Sequence, residues 1–221
     1  MEKSLKKSFA IVGAVAITVL LAFTICGCAK KSSSNSSSNS NSSSSSKFSA
    51  DNFKQTDQVE IEVANYGKIK VGLDANAAPI TVTNFKKLVG DGFYNGLTFH
   101  RIVKDFCLQG GDPKGDGSGG SDKTIKGEFT ENGVNNHLAH TRGAISMARS
   151  NDKDSASSQF FIVPQTSSNN STSLDGKYAC FGYVQEGMEV VDKIMQDFAT
   201  TDSSGKVPSA QQPKITSIKL L

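Results

Sequence analysis

The stretch FHRIVKDFCLQGGD, residues 99–112, decides how this chain is read. As a strand of alternating faces it places Leu97, Phe99, Arg101 and Val103 on one side, so a guanidinium falls inside a row that should meet an apolar interior. Burying that charge unpaired would be costly. Arg101 is therefore either a salt-bridged core residue or a charge aimed into a pocket, and the rest of the chain has to decide between them.

Working outward, strand-like runs recur between turn residues: VEIEV (59–63), KIKVGL (68–73), LTFHRIV (97–103), GAISMA (143–148), QFFIV (159–163), CFGYV (180–184) and KITSIKL (214–220). Many short strands predict an all-β sandwich or barrel. Two segments carry helical periodicity. In PITVTNFKKLVG (79–90), Val82, Phe85, Leu88 and Val89 form one stripe, with proline at the start and glycine at the end. In MEVVDKIMQDF (188–198), Val190, Val191, Ile194, Met195 and Phe198 do the same. The Gly-, Ser- and Asn-rich stretches 110–123, 148–158 and 164–177 read as long loops, of the kind that carries function or moves.

The chain begins with three lysines, an apolar run from Phe9 to Ile25, then small residues and cysteine, the layout of an export signal. The run is also about long enough to span a bilayer, so a transmembrane anchor is the rival reading. Ile25-Cys26-Gly27-Cys28 resembles the lipobox of bacterial lipoproteins, with Gly27 the small residue before the lipid-modified Cys28. Residues 1–27 are then the signal peptide, 28–50 the lipidated cysteine and a Ser/Asn tether, and 51–221 the folded domain. The run from Ser32 to Ser46 holds no apolar residue and cannot offset the entropy of folding. At roughly 5–6 Å times the square root of its length, such a tether would hold the domain a few tens of Å from a membrane, on the extracytoplasmic face.

The chain carries 24 basic and 21 acidic residues; taking away the three lysines and one glutamate of residues 1–27 leaves 21 and 20. That balance offers no footprint for nucleic acid. Cys107 and Cys180, the two cysteines beyond the anchor, have neither the number for a disulfide framework nor the spacing for zinc, and read as free apolar thiols. The glycine-rich run 110–120 lacks the Gly-Lys-Ser/Thr ending of a phosphate loop, and Lys114 stands where a calcium loop needs an oxygen. With three histidines, His100, His137 and His140, and no Gly-x-Ser-x-Gly elbow, a hydrolytic triad has no sequence support. No metal or cofactor is expected. What remains is a set of apolar and amide side chains around one arginine: Phe106, Gln109, Gln159, Phe161, Leu174 and Tyr178, all at strand ends or loop edges.

The blocks FHRIVKDFCLQGGDPKGDGSGG, AISMAR, SSQFFI and LDGKYACFG, in that order and spacing, resemble the cyclophilin family of peptidyl-prolyl cis-trans isomerases over about Val59 to Leu221. The resemblance implies a closed antiparallel barrel of about eight strands capped by two α-helices, acting on proline-containing polypeptides as a monomer. It implies Arg101, Phe106 and Gln109 as catalytic residues. Phe106, Cys107, Phe161, Leu174 and Tyr178 would form an apolar cup for the proline ring. Arg149 and Ser150 would lie on an edge strand that binds substrate backbone, with Ala148 and Gln159 lining the neighbouring groove. Phe99, Phe160 and Phe181 are assigned to core. Behind an export signal, such an enzyme would assist the folding of exported proteins; a polypeptide-binding module or chaperone with incidental isomerase activity is the alternative.

Four positions depart from the family pattern. Cys107 stands where methionine is usual, Tyr178 where many relatives have histidine, and Arg149 where they often have asparagine. Ser173 stands where cyclosporin-sensitive members carry tryptophan, which implies weak binding of that drug.

Overall fold

In the computed structural model, which describes residues 48–221, the alternating apolar residues of β1 (Asp57–Val63) and β2 (Gly67–Leu73) face one another across a hairpin, Val59 opposite Val71 and Ile61 opposite Ile69. The expected signal segment, Cys28 and the tether as far as residue 47 lie outside the described residues. Six further strands follow: β3 (Thr98–Val103), β4 (Cys107–Asp112), β5 (Ala144–Met147), β6 (Phe160–Ile162), β7 (Cys180–Glu186) and β8 (Ile215–Leu220). They form one sheet in the order β3-β4-β6-β5-β7-β2-β1-β8, antiparallel throughout. The two ends of that order meet: Phe99 N–H donates to Pro213 O at 2.9 Å and Ile215 N–H to Leu97 O at 2.8 Å. The sheet thus curls into a barrel, which removes its exposed edges.

Both periodic segments are helices, α1 (Pro79–Gly90) and α3 (Met188–Phe198). Pro79 opens α1, where the missing N–H costs nothing, and the carboxylate of buried Glu128 accepts from the Ile80 and Thr81 N–H groups at 3.0 and 2.7 Å. A third helix was not expected. The stretch 164–177, read above as a loop, contains α2 (Ser168–Leu174), capped by Ser167 Oγ accepting from Asn170 N–H at 3.1 Å. Its sequence, SNNSTSL, has one apolar residue and is too short for periodicity to reveal it.

Apolar side chains divide into two clusters because residues alternate along each strand. Ile102, Leu108, Ile145, Phe160, Ile162 and Phe181 point into the barrel and pack with Phe85 of α1 and Ile194 of α3. Their neighbours Val103, Cys107, Ala144, Phe161 and Cys180 point outward and pack with Leu138, Leu174 and Tyr183. Both cysteines are free and buried, and Phe99, Phe160 and Phe181 are core residues, as expected.

The opening stretch needs a correction. Phe99 pairs with Gly110 and Arg101 with Gln109, leaving His100 as an extra residue, a β-bulge. The alternation changes phase there, so Leu97 and Phe99 pack on the interior cluster whereas Arg101 and Val103 face outward. These four residues do not share one face. The partner strand is shaped to match, since a Cβ at Gly110 would lie 2.8 Å from Thr98 O and 2.9 Å from Phe99 Cδ1.

Candidate functional site

The outward face of β3, β4 and β6 carries Arg101, Gln109 and Phe161, and the segments around it supply the walls. Nine expected side chains, Arg101, Phe106, Cys107, Gln109, Ala148, Arg149, Phe161, Leu174 and Tyr178, border a single cavity of about 130 Å3. The other two, Ser150 and Gln159, border an adjoining cavity of about 280 Å3 that shares Gln109, Ala148 and Arg149 with the first. One placement differs from expectation. β5 is an interior strand, between β6 and β7, and ends at Met147, so Arg149 and Ser150 lie just beyond it and not on an edge strand.

Arg101 is not a salt-bridged core residue. Among the described residues no carboxylate lies within ion-pairing distance of it. Its guanidinium is held by neutral groups. Nη1 donates to Gln109 Oε1 at 3.2 Å and to Cys107 Sγ at 3.1 Å, while Nε donates to Ser204 O at 3.1 Å and Nη2 to Ser203 O at 2.9 Å. The Phe106 ring centroid lies 5.6 Å from Cζ. Gln109 passes the chain on, its Nε2 donating to Gln159 Oε1 at 2.9 Å, and Gln159 Nε2 donates to Gly119 O at 2.7 Å. Each amide is thereby fixed in orientation.

The apolar wall is equally constrained. Phe161 meets Tyr178 edge to face, centroids 6.0 Å apart, and Tyr178 in turn lies under the Arg149 guanidinium at 4.6 Å. Phe129 covers Arg149 from 5.1 Å, and Lys177 O accepts from its Nε and Nη2. Cys107 is buried, and desolvation pushes its thiol up to about 11, so it serves the cavity as a neutral apolar wall.

Behind Phe161, the His140 ring stacks at 6.0 Å. His140 Nδ1 lies 2.8 Å from Asp175 Oδ1 and Nε2 lies 3.0 Å from Ser146 Oγ. Serine, histidine and carboxylate stand in a row like a hydrolytic triad, but Ser146 and His140 are wholly buried, so the row is an internal brace. Burial holds the imidazole below its ordinary pKa, against the pull of Asp175. His100, at the bulge, is also buried and held low by desolvation.

Sequence reasoning missed Phe129, Ser203 and Ser204. The two serines act through backbone carbonyls, which no residue type announces.

The family model described as cyclophilin type peptidyl-prolyl cis-trans isomerase/CLD matches residues 58–220. A peptidyl-prolyl cis-trans isomerase of Acinetobacter baylyi is 39% identical over 161 residues, covering 71% of this chain and 81% of that one. Peptidyl-prolyl cis-trans isomerase B of Bacillus subtilis is 45% identical over 140 residues, covering 63% and 86%. The crystal structure of a cyclophilin-type isomerase of Cryptosporidium parvum shares the fold with a TM-score of 0.62 at 29% identity, over 75% of this chain and 97% of that one. A second structure of that protein, determined in the presence of the dipeptide Ala-Pro, matches at 0.62 and 30% identity.

Proposed function

This chain belongs to the cyclophilin-type peptidyl-prolyl cis-trans isomerases, and from that premise we propose that its outward cavity is the active site, with Arg101, Phe106 and Gln109 catalytic and the substrates exported polypeptides. An X-Pro bond turns over a barrier of about 18–20 kcal/mol because rotation breaks amide resonance. The twisted amide has a pyramidal nitrogen with a lone pair that neither planar isomer offers. A donor aimed at that lone pair therefore favours the transition state over both ground states. Arg101 is permanently charged and meets no carboxylate among the described residues, so its charge is available to the substrate.

The roughly 130 Å3 hollow between Phe106, Phe161, Leu174 and Tyr178 suits a proline ring, which it would grip while the chain on one side of the bond rotates. Gln109 would steer the guanidinium and meet the substrate backbone; Ala148, Arg149, Ser150 and Gln159 would line the groove beside it. The convergence of an uncompensated arginine on an apolar hollow is the observation that carries this reading. Line-shape or exchange NMR on a short X-Pro peptide tests it: Arg101→Ala should lower kcat/KM by about 10²–10³, the usual worth of a donor to developing charge. Wild-type turnover in that variant would overturn it.

We also propose that Cys28 carries lipid and that the domain works on the extracytoplasmic face of the membrane, on the strength of the lipobox-like Ile25-Cys26-Gly27-Cys28 and the tether after it. Mass spectrometry of the membrane-extracted protein should find diacylglycerol on an N-terminal Cys28. An intact Met1 terminus would support a transmembrane anchor instead.

A further inference from the structure

We propose that the turn from Thr200 to Lys206 is a positioning device for Arg101, a role that rests on the catalytic reading of that residue. The guanidinium is a flat fork with two usable edges. One edge, Nε and Nη2, is occupied by the carbonyls of Ser204 and Ser203 at 3.1 and 2.9 Å. The other, Nη1, is left at the cavity beside Gln109 and Cys107. Two acceptors on one edge set both the plane and the direction of the fork.

The turn is built to hold those carbonyls still. Asp202 Oδ1 accepts from Ser204 N–H at 3.1 Å and Oδ2 from Ser204 Oγ–H at 2.6 Å. Asp202 N–H donates to Thr200 Oγ1 at 3.1 Å, and Gly205 N–H to Asp202 O at 3.0 Å. The whole turn is pinned along β3: Lys104 N–H donates to Thr200 O, Ile102 N–H to Gly205 O, and Val207 N–H to His100 O. Gly205 has φ of +60°, and a Cβ there would overlap Val103 Cγ2, so the turn sits as close to β3 as backbone permits.

The choice of acceptor has a consequence for the chemistry. A carboxylate could orient the fork as well, but its charge would offset the positive charge needed at the amide nitrogen. Backbone carbonyls orient without neutralising. The nearby acid, Asp202, spends both oxygens on Ser204 inside the turn.

The test is a set of Asp202 variants in the full chain, read by kcat and KM separately on a short X-Pro peptide. Asp202→Ala removes the brace, and kcat should fall about tenfold with KM changed less than twofold; Asp202→Asn, which keeps an acceptor for Ser204 N–H, should recover most of the rate. In an Arg101→Ala background, Asp202→Ala should cost nothing further, because the device acts only through Arg101. A second readout uses the wild-type protein alone: the Arg101 Nε–H proton should give a resolved, slowly exchanging NMR signal. An unchanged kcat in folded Asp202→Ala, an equal loss in the Arg101→Ala background, or a fast-exchanging Nε–H in wild type would each overturn the proposal. If Arg101→Ala alone has wild-type turnover, it is the catalytic reading that fails.

Discussion

Gln109 takes a hydrogen bond from Arg101 Nη1 at 3.2 Å and hands one on to Gln159 Oε1 at 2.9 Å, so the arginine is the first member of a chain of amides that ends on the backbone of the glycine-rich loop at Gly119. Gln109→Ala removes the link and should lower kcat/KM about tenfold, the worth of one hydrogen bond to a charged group. Gln159→Ala acts one step further away and should cost about twofold to threefold. Equal losses in the two variants would show that the chain does not transmit orientation in this sense.

Ser173 is exposed near the end of α2, one residue before Leu174, which borders the outward cavity. Its hydroxyl is turned back to Asn169 O at 2.6 Å. An indole at this position would offer a broad face and an N–H donor to a bulky cyclic ligand, and losing such an anchor costs about 2 kcal/mol, or about thirtyfold in affinity. The expected outcome is an active isomerase that binds cyclosporin weakly, with inhibition tightened in Ser173→Trp and little change in turnover of a short peptide. Tight inhibition of the unaltered domain would place the affinity in other groove residues.

Two histidines should govern stability between neutral and mildly acid pH. Burial holds His140 and His100 below their ordinary value of 6.5, so the unfolded chain takes up protons that the folded one refuses. Stability is then fully present above about pH 6.5 and falls as pH drops from there towards the folded pKa values, by at most about 1.4 kcal/mol per pH unit for each histidine kept neutral. Urea midpoints at pH 7 and pH 5.5 check this, and His140→Gln should flatten the dependence. A midpoint that rises on acidification would contradict the assigned direction.

The thiols should be inert while the fold is intact. With burial pushing Cys107 up to about 11 and Cys180 up to about 12, both thiols stay protonated near neutral pH and offer almost no thiolate for reaction. Iodoacetamide at pH 7.5 should leave both unlabelled over hours and modify both in denaturant. Rapid labelling of Cys107 in the native protein would mean that the cavity wall opens.

Much of this was legible because the relevant signals are side-chain signals. Val59, Ile61, Val71 and Phe85 announce their elements by period, and the blocks around Arg101, Phe161 and Leu174 carry the site. What stayed hidden was of other kinds. β4, CLQGGD, has two glycines that weaken any strand reading, yet Gly110 is required where the bulge crowds it. α2 is too polar to show a stripe, and Ser203 and Ser204 contribute only carbonyls. The phase change at His100 was hidden most deeply, since a bulge is a property of two strands together and no single strand displays it.

That bulge gives β3 one residue to spare. Phe99 pairs with Gly110 and Arg101 with Gln109, so a strand lacking His100 would alternate without interruption, Phe99 and Ile102 in the barrel and Arg101 on the solvent side between them. A deletion of His100 would therefore straighten the strand and leave the guanidinium facing outward. Beyond the bulge there is no such slack: with Ile102 deleted, Val103 would have to fill its place in the barrel and Lys104 that of Val103 in the outward cluster. A scan of single-residue deletions scored for soluble expression should find loss of His100 better tolerated than loss of Ile102.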